Sequence, residues 1–138
     1  MKTTRFGVSM DDELLERLDR IVTRRRYPNR SEAIRDLVRS ALVEDEWKRS
    51  SGEVIGVLVI VFDHRRRDLS SRLLDREHNR AGEITATLHL HLDHENCLEA
   101  KVIRGKPSCV EEIANELIAM KGVKFGRLIR ATAGKGLR

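Results

Sequence analysis

Aromatic residues make up only 4% of this 138-residue chain. Any core must therefore be aliphatic, and a binding surface built on stacked bases is poorly supplied. Cysteine occurs twice, too few for a disulfide-stapled scaffold, which leaves each thiol as a packing residue, a nucleophile or a metal ligand. The longest apolar run, Val54 to Phe62, falls far short of the ~20 residues that span a bilayer. The opening residues Met1-Lys2-Thr3-Thr4-Arg5 lead into no signal-peptide core, so a cytoplasmic protein without a membrane partner is expected. Charge of one sign is not scarce, but 27 basic residues against 22 acidic ones, a net +5, is a mild excess whose meaning depends on placement. The length suits one ordinary domain or two small ones and excludes a long multi-domain enzyme.

Against these absences, the patterning is dense. Phe6, Val8 and Met10 alternate with Arg5, Gly7 and Ser9, which predicts a short strand with one apolar and one open face. A helix follows from Asp11, with Leu14, Leu18, Ile21 and Val22 at helical spacing and acids in its first turn, and it should stop at Tyr27-Pro28. Asn29 stands three residues before Glu32 as a capping box for a second helix, striped by Ile34, Leu37, Val38, Ala41 and Leu42 and running to about Trp47. A strand and two helices in under fifty residues bury too little surface alone, and a lone strand has no partner for its backbone groups. Pairing with a second copy through that strand meets both needs. Two such strands as an antiparallel ribbon fit a major groove and present Arg5, Gly7 and Ser9 to base edges, while the start of the second helix offers N–H groups to a phosphate. A small dimerisation module with exposed charge is the plainer alternative. The runs Arg24-Arg25-Arg26 and Arg65-Arg66-Arg67 would add phosphate contacts.

Residues 48–52 contain Ser50, Ser51 and Gly52 and mark a linker, so the expected domains are 1–47 and 53–138. The second begins with a strand, 53 to 63, apolar on both faces. A helix over 67–79, an alternating strand over 82–92, a turn at Asp93-His94-Glu95-Asn96, a returning strand from Cys97 to Arg104, a helix from Pro107 to Met120 and a last strand over 123–132 complete it. That order, strand, helix, strand, strand, helix, strand, predicts a ferredoxin-like βαββαβ domain and an α+β chain. Since its helices cover one sheet face and the first strand is apolar on both, another subunit should cover the second face.

The sharpest chemical constellation is His89-x-His91-x5-Cys97. Residues two apart on a strand point the same way, and a short turn returns Cys97 beside them, so three donors converge. His78, ending the preceding helix, is the best candidate for a fourth. Planar nitrogen and thiolate donors suit nickel(II), a tetrahedral set suits zinc, and raw affinity favours copper, so the residues alone leave the metal open. A metal-dependent hydrolase would need a general base, for which Glu99 is the one candidate on this hairpin, and four protein ligands leave no water to activate. An antitoxin-like module would give the His and Cys cluster no purpose. Cys109, His94 and His64 read as packing, solvated and hydrogen-bonded residues respectively, although His64 could approach a metal transiently.

The strand with Asn29-Arg30-Ser31-Glu32-Ala33-Ile34-Arg35-Asp36 resembles a ribbon-helix-helix module. Together with His78, His89-Leu90-His91 and Cys97-Leu98-Glu99 the chain resembles, over residues 5 to 133, the nickel-responsive repressors of the NikR family. The resemblance implies a ribbon-helix-helix DNA-binding domain and an ACT-like domain that assembles a homotetramer. It implies one Ni(2+) per subunit, held in a planar site by His89, His91 and Cys97 of one subunit and His78 of a neighbour, with Glu99 behind them. It further implies double-stranded operator DNA as partner, Arg5, Gly7 and Ser9 facing the operator, and Arg66 and Arg67 on phosphates. Glu32 and Asp36 would form a cation site between domains, although such an acidic pair alone is more often a solvated helix face. Gly7 departs from the usual hydroxyl-bearing residue and can make no side-chain base contact. No catalysis and no small organic substrate are expected; a copper or zinc sensor on the same scaffold is the alternative.

Overall fold

A computed structural model describes residues 3–49, 51–80 and 83–137, the side chain of residue 67 excepted. The chain divides into two units, one reaching Ala41 and the other starting at Leu42.

In the first unit, residues 3–11 have no assigned secondary structure. The strand expected over 5–10 is absent from the single chain, because a strand without a neighbour has nothing to receive its backbone hydrogen bonds. Helix α1 (Asp12–Arg24) opens where the Asp11 carboxylate accepts the Leu14 N–H at 2.8 Å, and Asp12 and Glu13 in its first turn face the positive end of the helix dipole. Arg26 takes a left-handed φ of 57°, which turns the chain toward Tyr27 and Pro28. Asn29 then caps α2 (Arg30–Lys48), its side-chain oxygen 2.9 Å from the Glu32 N–H. Arg30 bridges back to both Asp19 oxygens at 2.6 and 2.7 Å, and Tyr27 donates its hydroxyl to Asp36. Leu18 and Ala33 are buried, but Phe6, Val8, Leu14, Leu37 and Val38 remain exposed. Phe6, Val8, Met10, Leu15, Leu18 and Ile34 form the apolar part of a cleft that is also lined by Arg5, Arg30 and Arg35.

The second unit contains β1 (Val54–Asp63), α3 (Arg67–Asn79), β2 (Ile84–His91), β3 (Asn96–Gly105), α4 (Pro107–Ile118) and β4 (Val123–Ala131), and its four strands pair antiparallel in the order β2-β3-β1-β4. This is the expected ferredoxin-like, ACT-like arrangement. Along β1, buried and half-buried residues alternate. Val54, Leu58, Ile60 and Phe62 pack with Leu69 and Leu73 of α3 and with Val110, Ile113 and Leu117 of α4. A Cβ on Gly56 would meet Val110 of α4 and Leu128 of β4 at 2.8 Å, so glycine lets α4 approach the sheet. The opposite face carries Val57, Val59 and Val61, half-buried, beside Leu88, Leu90, Phe125 and Ile129, which are exposed.

The last turns of α2 belong to this unit. Trp47 is only 4% exposed within its core, and its indole N–H donates to the Ala131 carbonyl at 2.9 Å. Lys48, the first residue of the expected linker, is the last of α2, while residue 50 lies outside the described residues. No helix among the described residues is long and apolar enough to cross a membrane.

Candidate metal centre

The site is assembled by strand register. His91 lies opposite Cys97 and His89 opposite Glu99 across β2 and β3, while Cys97 lies opposite Phe62 of β1. The alternation that sends Phe62 inward therefore sends Cys97, Glu99, His89 and His91 to the same, helix-bearing side. Because β2 is the sheet edge, both imidazoles are exposed while the Cys97 sulfur is buried. Cys97 Sγ and His91 Nδ1 are 3.1 Å apart, and the His89 and His91 ring centres are 4.9 Å apart. His89 Nδ1 lies 2.8 Å from a Glu99 carboxylate oxygen. A neutral imidazole that donates from Nδ1 to this carboxylate keeps the Nε2 lone pair free for a cation, the usual way an outer carboxylate orients a histidine ligand.

Burial, and then the charges of Glu99 and Asp93, raise the Cys97 thiol above its ordinary pKa. The thiol has the His91 imidazole as its partner at 3.1 Å, and a cation bound there would require the thiol to give up its proton. The donor set thus fits a borderline transition metal such as nickel(II), copper or zinc.

His64 has a larger place than the sequence reading assigns it. Its N–H donates to the Glu95 carbonyl at 2.9 Å, and its ring centre is 5.8 Å from that of His91. Ligand atoms of His64, His91 and Cys97 all lie within 4.8 Å of one another, and among the described residues no other such group of three donors occurs. The pairing of Asp63 with Asn96, which sets the start of β3 beside the end of β1, brings this residue in. His78 is exposed in the last turn of α3, where it lines a groove with Leu74, Glu77 and Thr87, and it does not join that donor group. His94 is exposed in the β2–β3 turn. Cys109 is half-buried, its sulfur 3.9 Å from Arg80 and from Glu83.

The turn and the loop after β1 are tied by charge. Asp93 accepts the N–H groups of Glu95 and Asn96 at 2.7 and 2.8 Å, and the Asn96 side-chain amide, first among these influences, holds its pKa at about 2. Asp63 is likewise held at about 2, chiefly by hydrogen bonding from Arg65. Arg65 also reaches Glu95 at 2.8 Å, so this member of the basic run is committed to carboxylates within the chain. Arg66, by contrast, is exposed at the start of α3 without a side-chain cap bond. In the first unit Arg5, Gly7 and Ser9 are exposed. Glu32 pairs with Arg35, and Asp36 receives the Tyr27 hydroxyl.

The chain thus joins a pair of capped helices to an ACT-like domain that bears a His and Cys cluster. Family models agree in both halves: residues 55–131 match the NikR C terminal nickel binding domain, and residues 4–45 match the ribbon-helix-helix protein, copG family. A relative from Geobacter sp. (strain M21), named "Putative nickel-responsive regulator", is 50% identical over 99% of this chain and 98% of its own length. One of the same name from Thermococcus onnurineus (strain NA1) is 49% identical over 99% of each chain. A solved structure of an uncharacterized protein from Thermotoga maritima shares the fold at 15% identity, with a TM-score of 0.53 over 59% of this chain and all of its own. The chain belongs to the NikR family of nickel-responsive transcriptional regulators.

Proposed function

We propose that the chain is a nickel-dependent repressor that works in the cytoplasm as a homotetramer on double-stranded operator DNA. The observation that carries this reading is the convergence of Cys97, His91 and carboxylate-held His89 at the edge of a sheet. His89, His91 and Cys97 of one subunit, with His78 of a neighbouring one, would hold one Ni(2+) per subunit. The exposed position of His78 on α3 suits donation across an interface, and the uncovered apolar sheet face suits the assembly that creates one. When bound, the cation supplies differential affinity for one domain arrangement, and the shift in DNA binding can be no larger than that preference.

In the first unit, the apolar part of the cleft and exposed Phe6 and Val8 suit a second copy whose strand pairs with residues 5–10. Arg5, Gly7 and Ser9 then face the operator, and Arg66 adds a phosphate contact; the same role expected of Arg67 falls on a side chain outside the described residues. Domains divide near the end of α2, and Glu32 and Asp36 remain the candidate carboxylates for an interdomain cation on DNA.

A second reading has one observation in its favour. The His64, His91 and Cys97 cluster lies within a single chain, and such a compact set would suit a tetrahedral copper or zinc ion. Nickel titration followed by absorption spectroscopy separates the two. Nickel should produce a thiolate charge-transfer band with planar ligand-field features, and Cys97→Ala should abolish the band and lower affinity greatly. Unchanged affinity and spectrum in Cys97→Ala would sink the site, and a tetrahedral spectrum lost on His64→Ala would favour the second reading.

A further inference from the structure

The inward face of β3 carries a feature that packing does not account for. Its neighbours Cys97 and Ile103 are fully buried, and between them Lys101 is also 0% exposed. Its Nζ ion-pairs with Glu99 Oε2 at 2.6 Å and with Glu77 of α3. The second Glu99 oxygen faces His89 Nδ1, and the second Glu77 oxygen lies 3.4 Å from the Thr87 hydroxyl of β2. A continuous polar chain therefore leaves β2 at His89, crosses β3 through Glu99 and Lys101, reaches α3 at Glu77 and returns to β2 at Thr87. Among the described residues Glu99 Oε2 accepts no well-directed hydrogen bond, so the Lys101 ammonium is what balances it.

A buried ion chain of this kind is weak ground for stability. Well-packed apolar residues of similar volume often serve as well or better, whereas removal of one member leaves an uncompensated buried charge. Its location points elsewhere. One end orients a histidine of the metal hairpin, and the other grips the residue beside His78, on the helix turn that shows that imidazole at the surface.

We infer that Lys101 is a positioning residue of the metal centre: it holds Glu99 against His89 and, through Glu77, anchors the last turn of α3. The inference rests on the nickel reading for its purpose but not for its detection. With Lys101 in place, Glu99 keeps one oxygen on Nδ1 of His89, and the Nε2 lone pair stays available. Without it, Glu99 and Glu77 repel each other, Glu99 loses its fixed orientation, and the turn bearing His78 keeps only the long Thr87 contact to the sheet. One cation thus links a donor used within the subunit to a donor offered outside it.

The test uses full-length protein carrying Lys101→Met, and a second variant combining Lys101→Met with Glu77→Gln, which removes the carboxylate repulsion and keeps a folded protein in hand. In metal-free protein at pH 8, two-bond proton–nitrogen spectra of labelled histidine should show wild-type His89 as the Nδ1–H tautomer and the variants as a mixture. Amides of residues 74–79 should exchange roughly tenfold faster in both variants, the loss expected for a charged hydrogen-bond partner. Nickel affinity should fall ~10–100-fold, as for other outer residues that orient a metal ligand. A folded double variant with wild-type His89 tautomer and wild-type exchange in α3 would overturn the inference. Wild-type protein that binds no nickel, with both metal-free readouts moving as stated, would overturn the nickel reading and leave the positioning role standing.

Discussion

Removing Trp47 should unfasten the end of α2 from the C-terminal domain, and the structure allows the cost to be worked out. The indole is 4% exposed, packs with Gly56 and the surrounding core, donates its N–H to the Ala131 carbonyl at 2.9 Å and lies beneath the Arg130 guanidinium at 5.6 Å. Truncating a buried tryptophan to alanine costs about 3–5 kcal/mol. The abandoned Ala131 carbonyl adds about 1 kcal/mol, because that residue is only half-buried and water can reach it. The exposed cation–π contact adds about 0.5 kcal/mol. Trp47→Ala should therefore destabilise the protein by about 4.5–6.5 kcal/mol. Trp47→Phe, which loses the hydrogen bond and part of the ring but fills most of the space, should cost about 2 kcal/mol. Urea unfolding followed by circular dichroism measures both, at one protein concentration, because association contributes to apparent stability. If Trp47→Ala costs under about 1.5 kcal/mol with an unchanged slope against urea, this tryptophan is not part of the core and α2 does not end in the second unit.

Four further outcomes concern the metal site and the DNA-facing residues. Because burial raises the Cys97 thiol pKa, nickel must expel a proton to bind, so affinity should fall about tenfold per unit of falling pH for each proton released; a flat profile between pH 6 and 8 would contradict a thiolate ligand. Asp93 is held at about 2, below its ordinary 3.8; its contribution is fully present above pH 3.8 and lost as pH falls toward 2, so Asp93→Asn should melt lower at neutral pH and decline less steeply between pH 4 and 2. Arg5→Ala should lower the ratio of operator to random-DNA affinity at fixed salt, with Arg66→Ala weakening both and flattening the salt dependence; an unchanged ratio in Arg5→Ala would remove base reading from residues 5–9. Mixed tetramers of His78→Ala with Cys97→Ala subunits should recover part of the nickel binding that either homotetramer lacks, and verified mixed tetramers without recovery would exclude a ligand crossing the interface.

What was legible in the amino-acid sequence is what short-range geometry decides. Period-two alternation puts His89 and His91 on one side, a brief turn brings Cys97 opposite His91, and Asn29 three residues before Glu32 caps a helix, since each relation spans only a few residues. The same alternation could have put Glu99 and Lys101 beside Cys97 on the inward face, a signal that charged residues within a hairpin ordinarily conceal. Tertiary structure decided the remainder. His64 joins His91 and Cys97 only because β1 pairs with β3, two segments more than thirty residues apart, and no local pattern carries that register. Trp47 reads as the end of the first helical pair, yet its ring fills a space that exists only once β1, β4 and α4 have assembled. Lys101 became a buried cation because α3 lays Glu77 over it. The strand over residues 5–10 stays a pattern without a ladder in one chain, because backbone hydrogen bonds need a second strand and this chain folded alone provides none.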